Sequence, residues 1–289
     1  MGYIIRTMVL FLVLTLIFMA IGWVLWYFLF DDTTESLILI MAIFIGLAVL
    51  LNLFSFFFSK RLVLRAHKVK IIRREDNPRL YNIVESIAMS ARLPMPQVGI
   101  TNNPSPNAFA TGRNPKNAAV VATTGLLSLL DDRELKAVMA HEMAHVKNRD
   151  ILVMSVAATI AGAISIMARF ALFASFRNRD GGTVLIMFLA YITIPIAAML
   201  IQLGISRGRE YKADESGARI INDPLSLASA LEKLENGNRR DPMLKENPSN
   251  AHMWIANPFS GKRGMTSMFS THPPMEERIR RLNKMAGRI

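Results

Sequence analysis

Four long apolar stretches stand out in the pattern of hydrophobic and polar residues along the chain. They cover residues 7–30, 36–59, 151–176 and 183–205. Each exceeds the roughly 20 residues that a helix needs to cross about 30 Å of hydrocarbon. The first two carry no charged residue and predict membrane spans. The last two contain an arginine, or a proline and a glutamine, so the alternative of helices buried in a soluble core stays open for them.

The links between these stretches predict their orientation. The first stretch is too long for a cleaved signal peptide and lacks an A-x-A site, which favours an uncleaved anchor. Acidic residues follow it at 31–35, whereas residues 60–74 carry seven Lys or Arg and no acid. Because basic loops stay in the cytoplasm, both termini and residues 60–150 and 206–289 are predicted to be cytoplasmic.

The remaining residues show the periods of both helices and strands. A strand is predicted at 96–101, and a hairpin at 107–123 with its turn near 112–116. Helical spacing recurs in four further segments. The signals that accompany it are a capping residue, a proline in the first turn, or a basic C-terminal end. These helices cover residues 76–93, 131–150, 206–236 in two parts, and 272–289. The soluble part is therefore predicted to be α+β.

Two details refine this prediction. Asp131 precedes Glu134 by three residues, which is typical of a capping box and places residues 138–150 on a well-formed helix. Residues 237–268 are rich in Asn, Gly, Pro and Met without clear periodicity, which predicts a mobile loop.

Composition narrows the possible chemistry. The chain of 289 residues has no cysteine, which excludes disulfides and thiolate ligands and leaves His, Asp and Glu for any metal. It is 52% hydrophobic and carries a net charge of +12. Most of the excess charge lies next to the apolar stretches and the sequence has no nucleic-acid-binding motif. The predicted partner is therefore an anionic lipid bilayer and not nucleic acid.

The stretch "HEMAH" contains the strongest chemical signal. His141 and His145 are four residues apart, so on a helix they lie on one face, one turn from each other. Their imidazole nitrogens can then meet one Zn²⁺, while Glu142 acts as general base on the attacking water. This is the H-E-x-x-H pattern of zinc peptidases, and an ordinary core or surface histidine pair is the alternative.

A catalytic zinc needs a third protein ligand. Asn148 and Ile151 stand where metzincins have glycine and histidine, which excludes that class. Glu210 and Asp214, four apart on a predicted helix, offer a ligand and a carboxylate that orients a ligand histidine. Acids at this spacing also occur on ordinary solvated faces.

Taken together, the two N-terminal apolar stretches, "NAFATG", "HEMAHVKNRD", two further apolar stretches, "SRGREYKAD" and "FSTHPPMEERIRRL" resemble the HtpX family of membrane zinc metalloproteases. These proteins are relatives of the CAAX prenyl endopeptidases. The resemblance covers nearly the whole chain. It implies a gluzincin-type protease domain split into residues 60–150 and 206–289, with membrane segments at 1–59 and 151–205.

The resemblance also implies roles for single residues. The zinc ligands would be His141, His145 and Glu210, with one Zn²⁺ per chain, and Glu142 would be the general base. Asp214 would lie beside the site, paired with an arginine. Further roles concern the C-terminal segment: His272 would stabilise the oxyanion, although a capping role is equally compatible with its sequence, and Arg278 would hold Glu210 or Asp214.

In gluzincins an edge strand beside the active helix pairs with an extended substrate. The corresponding residues here would be Asn107, Ala108, Phe109 and Ala110, and a plain hairpin is the alternative. Small side chains at Ala108 and Ala110 suit the close approach of a second chain.

The family further implies an endopeptidase of the inner membrane that cleaves misfolded or damaged membrane proteins at the cytoplasmic face under stress, and that cleaves itself. Two alternatives remain. A CAAX-type prenyl peptidase is disfavoured because those relatives have more spans. A catalytically silent scaffold or a small transporter is disfavoured by the intact motif.

Overall fold

The computed structural model describes residues 2–29, 33–161, 207–240, 254–255 and 273–287. These residues form helices around one four-stranded sheet, as the α+β prediction requires. Two long N-terminal helices precede the sheet. Most of the helices that follow it share a hydrophobic core with one of its faces, whereas Ala158 of the helix Asp150–Ala161 packs with Phe109 and Val121 on the other face.

The first two helices are α1 (Gly2–Leu29) and α2 (Thr34–Ala66), and they form an antiparallel hairpin. Trp26 donates a hydrogen bond to Ser36 near the turn, at 2.8 Å. Further along, the Asn52 amide donates to the carbonyl of Phe11 at 3.3 Å. Many of their large apolar side chains are exposed, which is the surface expected where lipid replaces water.

The prediction of four membrane spans is not confirmed. Within the described residues, only α2 is long and apolar enough to cross a bilayer. The apolar part of α1, Thr7–Trp23, is shorter than a span requires, and so is α6 (Asp150–Ala161). Most of the third predicted span and all of the fourth lie outside the described residues.

The sheet consists of strands β1 (Lys70–Ile72), β2 (Gln97–Thr101), β3 (Ala108–Gly112) and β4 (Ala118–Thr123). Their order is β1-β2-β4-β3. β3 and β4 form the predicted antiparallel hairpin, with a short 3₁₀ turn between them. β2 runs parallel to β4, and β1 runs antiparallel to β2. β3 is last in the strand order and is therefore an outer strand.

Helix α3 (Pro78–Ala91) crosses over between β1 and β2, and the short α4 (Thr124–Leu129) follows β4. Helix α5 (Asp132–Asn148) comes next and is buried over most of its length. Asp131 and Glu134 form the predicted capping box, which satisfies the first amides of α5. The Asn77 side chain caps α3 by accepting a hydrogen bond from the Leu80 amide.

Three C-terminal helices follow, of which the first two pack against α5 and the third packs against the first two. They are α7 (Arg207–Ile221), α8 (Pro224–Arg240) and α9 (Met275–Met285). Gly217 allows α7 to approach α5 closely, because a Cβ at that position would lie 2.8 Å from the backbone nitrogen of His141. Their apolar residues share one core with α3, the sheet and α5.

Three features differ from the sequence prediction. α2 continues to Ala66, past the predicted end at residue 59, and the basic segment after it contains β1, which was not predicted. The predicted loop 237–268 begins too early, because α8 extends to Arg240. Within that loop Trp254 and Ile255 are buried, and the other residues from 241 to 268 lie outside the described residues.

Candidate metal centre

Helix α5 carries the first two candidate ligands on one buried face. His141 and His145 stand one turn apart, and their rings meet edge to face at a centroid distance of 4.8 Å. Their Nε2 atoms are 3.2 Å apart. Two imidazole nitrogens therefore point to a common place, as the spacing predicts.

Helix α7 brings Glu210 to the same place. Glu210 Oε1 lies 3.4 Å from Nε2 of His145, and Oε2 lies 3.7 Å from Nε2 of His141. All three residues are buried, and one ligand atom from each lies within 4.8 Å of the others. The triangle joins two helices that the predicted membrane segments separate along the chain.

The size of the triangle fits a tetrahedral zinc ion. Two atoms that each lie about 2.0–2.1 Å from a tetrahedral ion are about 3.3 Å from each other. The two Nε2 atoms are 3.2 Å apart; the His145 nitrogen lies 3.4 Å from Glu210 Oε1, and the His141 nitrogen lies 3.7 Å from Glu210 Oε2. Two imidazoles and one carboxylate are also a ligand set that zinc prefers, so the residues present fit the metal.

Glu142 follows His141 on α5 and is 1% exposed. The backbone N–H of Ala110 on β3 hydrogen-bonds to its carboxylate, while Oε2 has no hydrogen-bond partner among the described residues. Burial raises the pKa of Glu142 to about 8. A divalent cation beside it would favour the ionised form and lower that pKa.

Asp214 and Arg278 hold the far side of His141. Asp214 Oδ1 lies 2.8 Å from Nδ1 of His141. Arg278 on α9 donates to both Asp214 oxygens, at 2.7 and 2.8 Å, and lies 4.0 Å from Glu210. Of the two partners predicted for Arg278, Asp214 is thus the hydrogen-bonded one. Burial alone would raise the pKa of Asp214, but the guanidinium outweighs it and holds that pKa below its usual range.

The far side of His145 faces two residues that sequence reasoning missed. Asp150 Oδ2 lies 3.5 Å from Nδ1 of His145. Arg209 Nε lies 3.9 Å from the other Asp150 oxygen. Burial alone would lower the pKa of His145, but Asp150, Glu210 and Glu142 outweigh it and raise that pKa to about 9.

The charges around the triangle leave room for a cation. Among the described residues, four buried carboxylates and two buried guanidinium groups surround it. They are Glu142, Asp150, Glu210, Asp214, Arg209 and Arg278. With both histidines neutral and all four carboxylates ionised, the forms that a bound cation favours, the cluster has an excess of two negative charges, which is costly in a buried site. A divalent cation at the triangle neutralises that excess.

The residues predicted to pair with substrate lie on β3 and just before it, next to Glu142. Asn107, Ala108, Phe109 and Ala110 are all fully buried. The carbonyl of Ala108 on the outer edge accepts a hydrogen bond from the Ile255 amide at 3.1 Å. A substrate strand that pairs at Ala108 must therefore replace the segment at Ile255.

Trp254 and Ile255 link this strand to the rest of the site. The Trp254 ring packs against Phe109 at a centroid distance of 4.9 Å and against His67 at 5.1 Å. The carbonyl of Ile255 accepts a hydrogen bond from Arg278 at 2.8 Å. His272, the predicted oxyanion residue, lies outside the described residues.

Comparison with known sequences gives a consistent result. The profile of peptidase family M48 matches residues 74–286. A protease HtpX homolog of Salinibacter ruber is 46% identical over 284 residues, covering 98% of each chain. The protease HtpX homolog of Thermococcus sibiricus is 44% identical over 294 residues, covering 99% of this chain and 97% of the relative. That of Syntrophobacter fumaroxidans is 49% identical over 253 residues, covering 85% and 89%.

Among solved structures, the crystal structure of S. mikatae Ste24p has a similar fold. The TM-score is 0.52 at 18% sequence identity. The match covers 93% of this chain and 62% of that longer one. At this identity the likeness concerns the fold alone.

Proposed function

The chain belongs to peptidase family M48 and is a metallopeptidase, and on that premise we propose that it is a zinc endopeptidase of the membrane. Its zinc ligands are His141, His145 and Glu210. The observation that carries the proposal is that two imidazole nitrogens 3.2 Å apart face the two oxygens of one buried carboxylate at 3.4 and 3.7 Å, with one ligand atom from each residue within 4.8 Å of the others, which suits one tetrahedral zinc.

Glu142 is the general base in this proposal. A bound zinc ion supplies Lewis acidity, which polarises the peptide carbonyl and acidifies a coordinating water. Glu142 is adjacent in sequence to a ligand, and one of its buried oxygens has no hydrogen-bond partner in the part of the chain that the structure describes. It takes the proton of the attacking water. His272 is proposed to stabilise the oxyanion.

The substrates we propose are extended segments of misfolded or damaged membrane proteins. The Ala110 amide contacts Glu142, so the backbone of β3 lies at the reacting carboxylate. A substrate strand paired with β3 would therefore lie beside Glu142, which supports this proposal. Recognition through backbone pairing requires an unfolded segment and little sequence preference. We propose that the same chemistry also acts on a second copy of this chain, as self-cleavage.

The proposed location is the inner membrane, with several spans and the metal centre facing the cytoplasm. Exposed apolar side chains on α1 and α2 and the basic residues after α2 support it. The role that follows is quality control of membrane proteins under stress. Family membership favours an enzyme over a silent scaffold.

The test is cleavage of an unfolded protein such as casein by the full chain in detergent with zinc. Glu142→Gln should lower the rate about 10²–10⁴-fold, as loss of a general base does, while one zinc per chain remains bound. Asp132→Asn removes an exposed acid of the same helix and should leave the rate unchanged. An active Glu142→Gln protein, or a wild type without zinc, would overturn the proposal.

A further inference from the structure

The outer nitrogen of His145 faces a carboxylate that lies beyond the HExxH motif. Nδ1 of His145 lies 3.5 Å from Asp150 Oδ2, and both side chains are at least nine-tenths buried. We propose that Asp150 is a positioning residue, which fixes the ring orientation and tautomer of His145, and that Arg209 holds Asp150 in place. The inference rests on the zinc site proposed above.

The tautomer follows from the geometry of the triangle. Nε2 of His145 faces Glu210 and His141, so it is the nitrogen that must be free of a proton to bind a metal. The proton of the neutral ring then sits on Nδ1. A carboxylate that accepts this N–H fixes the ring and makes Nε2 a stronger donor to the metal.

Arg209 gives Asp150 a charged neighbour. Its Nε lies 3.9 Å from Asp150 Oδ1, and both side chains are less than one-tenth exposed. A buried carboxylate without a cationic neighbour is costly, so Arg209 offsets part of the cost of placing Asp150 beside His145. The contacts therefore run from the metal ligand His145 to the carboxylate of Asp150, and from Asp150 to the guanidinium group of Arg209.

The position of the pair along the chain gives it a second consequence. Asp150 is the first residue of α6, and Arg209 lies in the first turn of α7. The pair thus joins the two ends of the chain segment that runs from 151 to 208. At the start of this segment, Leu152 and Val153 pack in an apolar cluster with Leu10 and Leu14 of α1.

The packing of α6 against the apolar hairpin is thereby linked to a zinc ligand. Ser155 of the same helix also bonds to Thr111 and to the Gly112 amide at the end of β3, at 2.8 and 3.1 Å. A displacement of α6 would move Asp150 away from His145. We therefore expect zinc affinity to depend on the position of α6 relative to α5.

The test compares zinc affinity, measured by chelator competition, in the full chain with Asp150→Ala, Asp150→Asn and Asp132→Asn. Loss of an outer carboxylate weakens metal binding about 10–100-fold. Asp150→Ala should lie near tenfold, because the 3.5 Å contact is long. Asp150→Asn should lose less, since the amide oxygen still accepts the N–H, and Asp132→Asn should match wild type.

Two further readouts separate positioning from a merely structural role. The visible spectrum of the Co²⁺-substituted protein should change in Asp150→Ala, because it reports ligand geometry. The melting temperature of the zinc-free protein should fall less than that of the zinc-bound protein. Arg209→Met should weaken zinc binding in the same direction as Asp150→Asn, whereas Arg207→Met, an exposed neighbour on the same helix, should not.

The outcomes distinguish the inference from the proposed function. If wild type binds no zinc, the proposed function fails and the inference with it. If wild type binds zinc and the Asp150 and Arg209 variants bind it equally well, only the inference is wrong. A zinc-free protein destabilised as much as the zinc-bound one would also overturn it. Should Asp150→Ala fail to fold, Asp150→Asn and Arg209→Met decide the same question.

Discussion

Two series of contacts reach the ligand histidines from different parts of the molecule, and they differ in how tightly they are built. The Asp214 arm runs from His141 through Asp214 to Arg278, with contacts of 2.7–2.8 Å. The Asp150 arm runs from His145 through Asp150 to Arg209, with contacts of 3.5 and 3.9 Å.

The difference follows from the elements that carry each arm. The Asp214 arm lies on α5, α7 and α9, which share the main hydrophobic core. The Asp150 arm begins on α6, part of whose apolar surface packs with α1 and α2. One ligand is thus held from the main hydrophobic core, and the other from a helix that packs with the N-terminal apolar hairpin. The two arms should therefore respond differently to substitution.

Breaking the Asp214 arm at its end should have the largest effect on stability. Arg278→Met leaves the carboxylate of Asp214 buried and without its bidentate partner. Removing one partner of such a pair costs about 3–5 kcal/mol. Thermal unfolding of the zinc-free protein should detect it. The exposed Arg280→Met on the same helix should have an effect near zero, and an equally stable Arg278→Met would contradict the account.

Removing the metal should loosen both arms at once. A ligand that binds only the folded state stabilises it by about 2.7 kcal/mol at 100 times its Kd. A chelator should therefore lower the melting temperature of the full chain, and added zinc should restore it. Glu210→Gln should be insensitive to the chelator. A melting temperature that the chelator leaves unchanged in wild type would speak against a resident metal.

Moving α7 away from α5 should disturb both arms by a smaller amount. In Gly217→Ala the new Cβ would meet backbone atoms of His141 at 2.8–2.9 Å. Such overpacking costs about 1–3 kcal/mol, against a gain of about 1 kcal/mol in helix propensity. We expect a net loss of up to about 2 kcal/mol and weaker zinc binding, measured by melting and chelator competition. A Gly217→Ala protein more stable than wild type would refute this packing argument.

Substitution of Asp214 is the last test, and its readout is zinc affinity. It should separate the two arms. Asp214→Asn keeps an oxygen near His141 but loses the charge that pairs with Arg278. Zinc affinity should fall about 10–100-fold. Because the contact to His141 is 0.7 Å shorter than that of Asp150 to His145, the loss should exceed the loss in Asp150→Asn. The reverse order would show that contact length does not govern the two arms.

Much of this site follows from local sequence rules. The spacing of four residues places His141 beside His145 and Glu210 beside Asp214, and the capping box at Asp131 fixes where α5 begins. The hairpin of β3 and β4 follows from alternation and its turn. These features depend on residues close together in sequence, where periodicity carries the information.

Other parts depend on contacts that no local pattern encodes. Asp150 and Arg209 are 59 residues apart and meet only because α5, α6 and α7 come together. β1 has three residues, too few for alternation to be visible within a basic segment. The sequence did not determine whether Arg278 pairs with Glu210 or with Asp214, because both carboxylates lie on the same helical face.

The most direct test of the central claim is the zinc content and affinity of the purified full chain, wild type against Glu210→Gln. Glu215→Gln, an exposed acid of the same helix, is the matched control. The account predicts one zinc per chain in wild type and in Glu215→Gln, and its loss in a folded Glu210→Gln protein. One zinc bound with unchanged affinity in Glu210→Gln would contradict it.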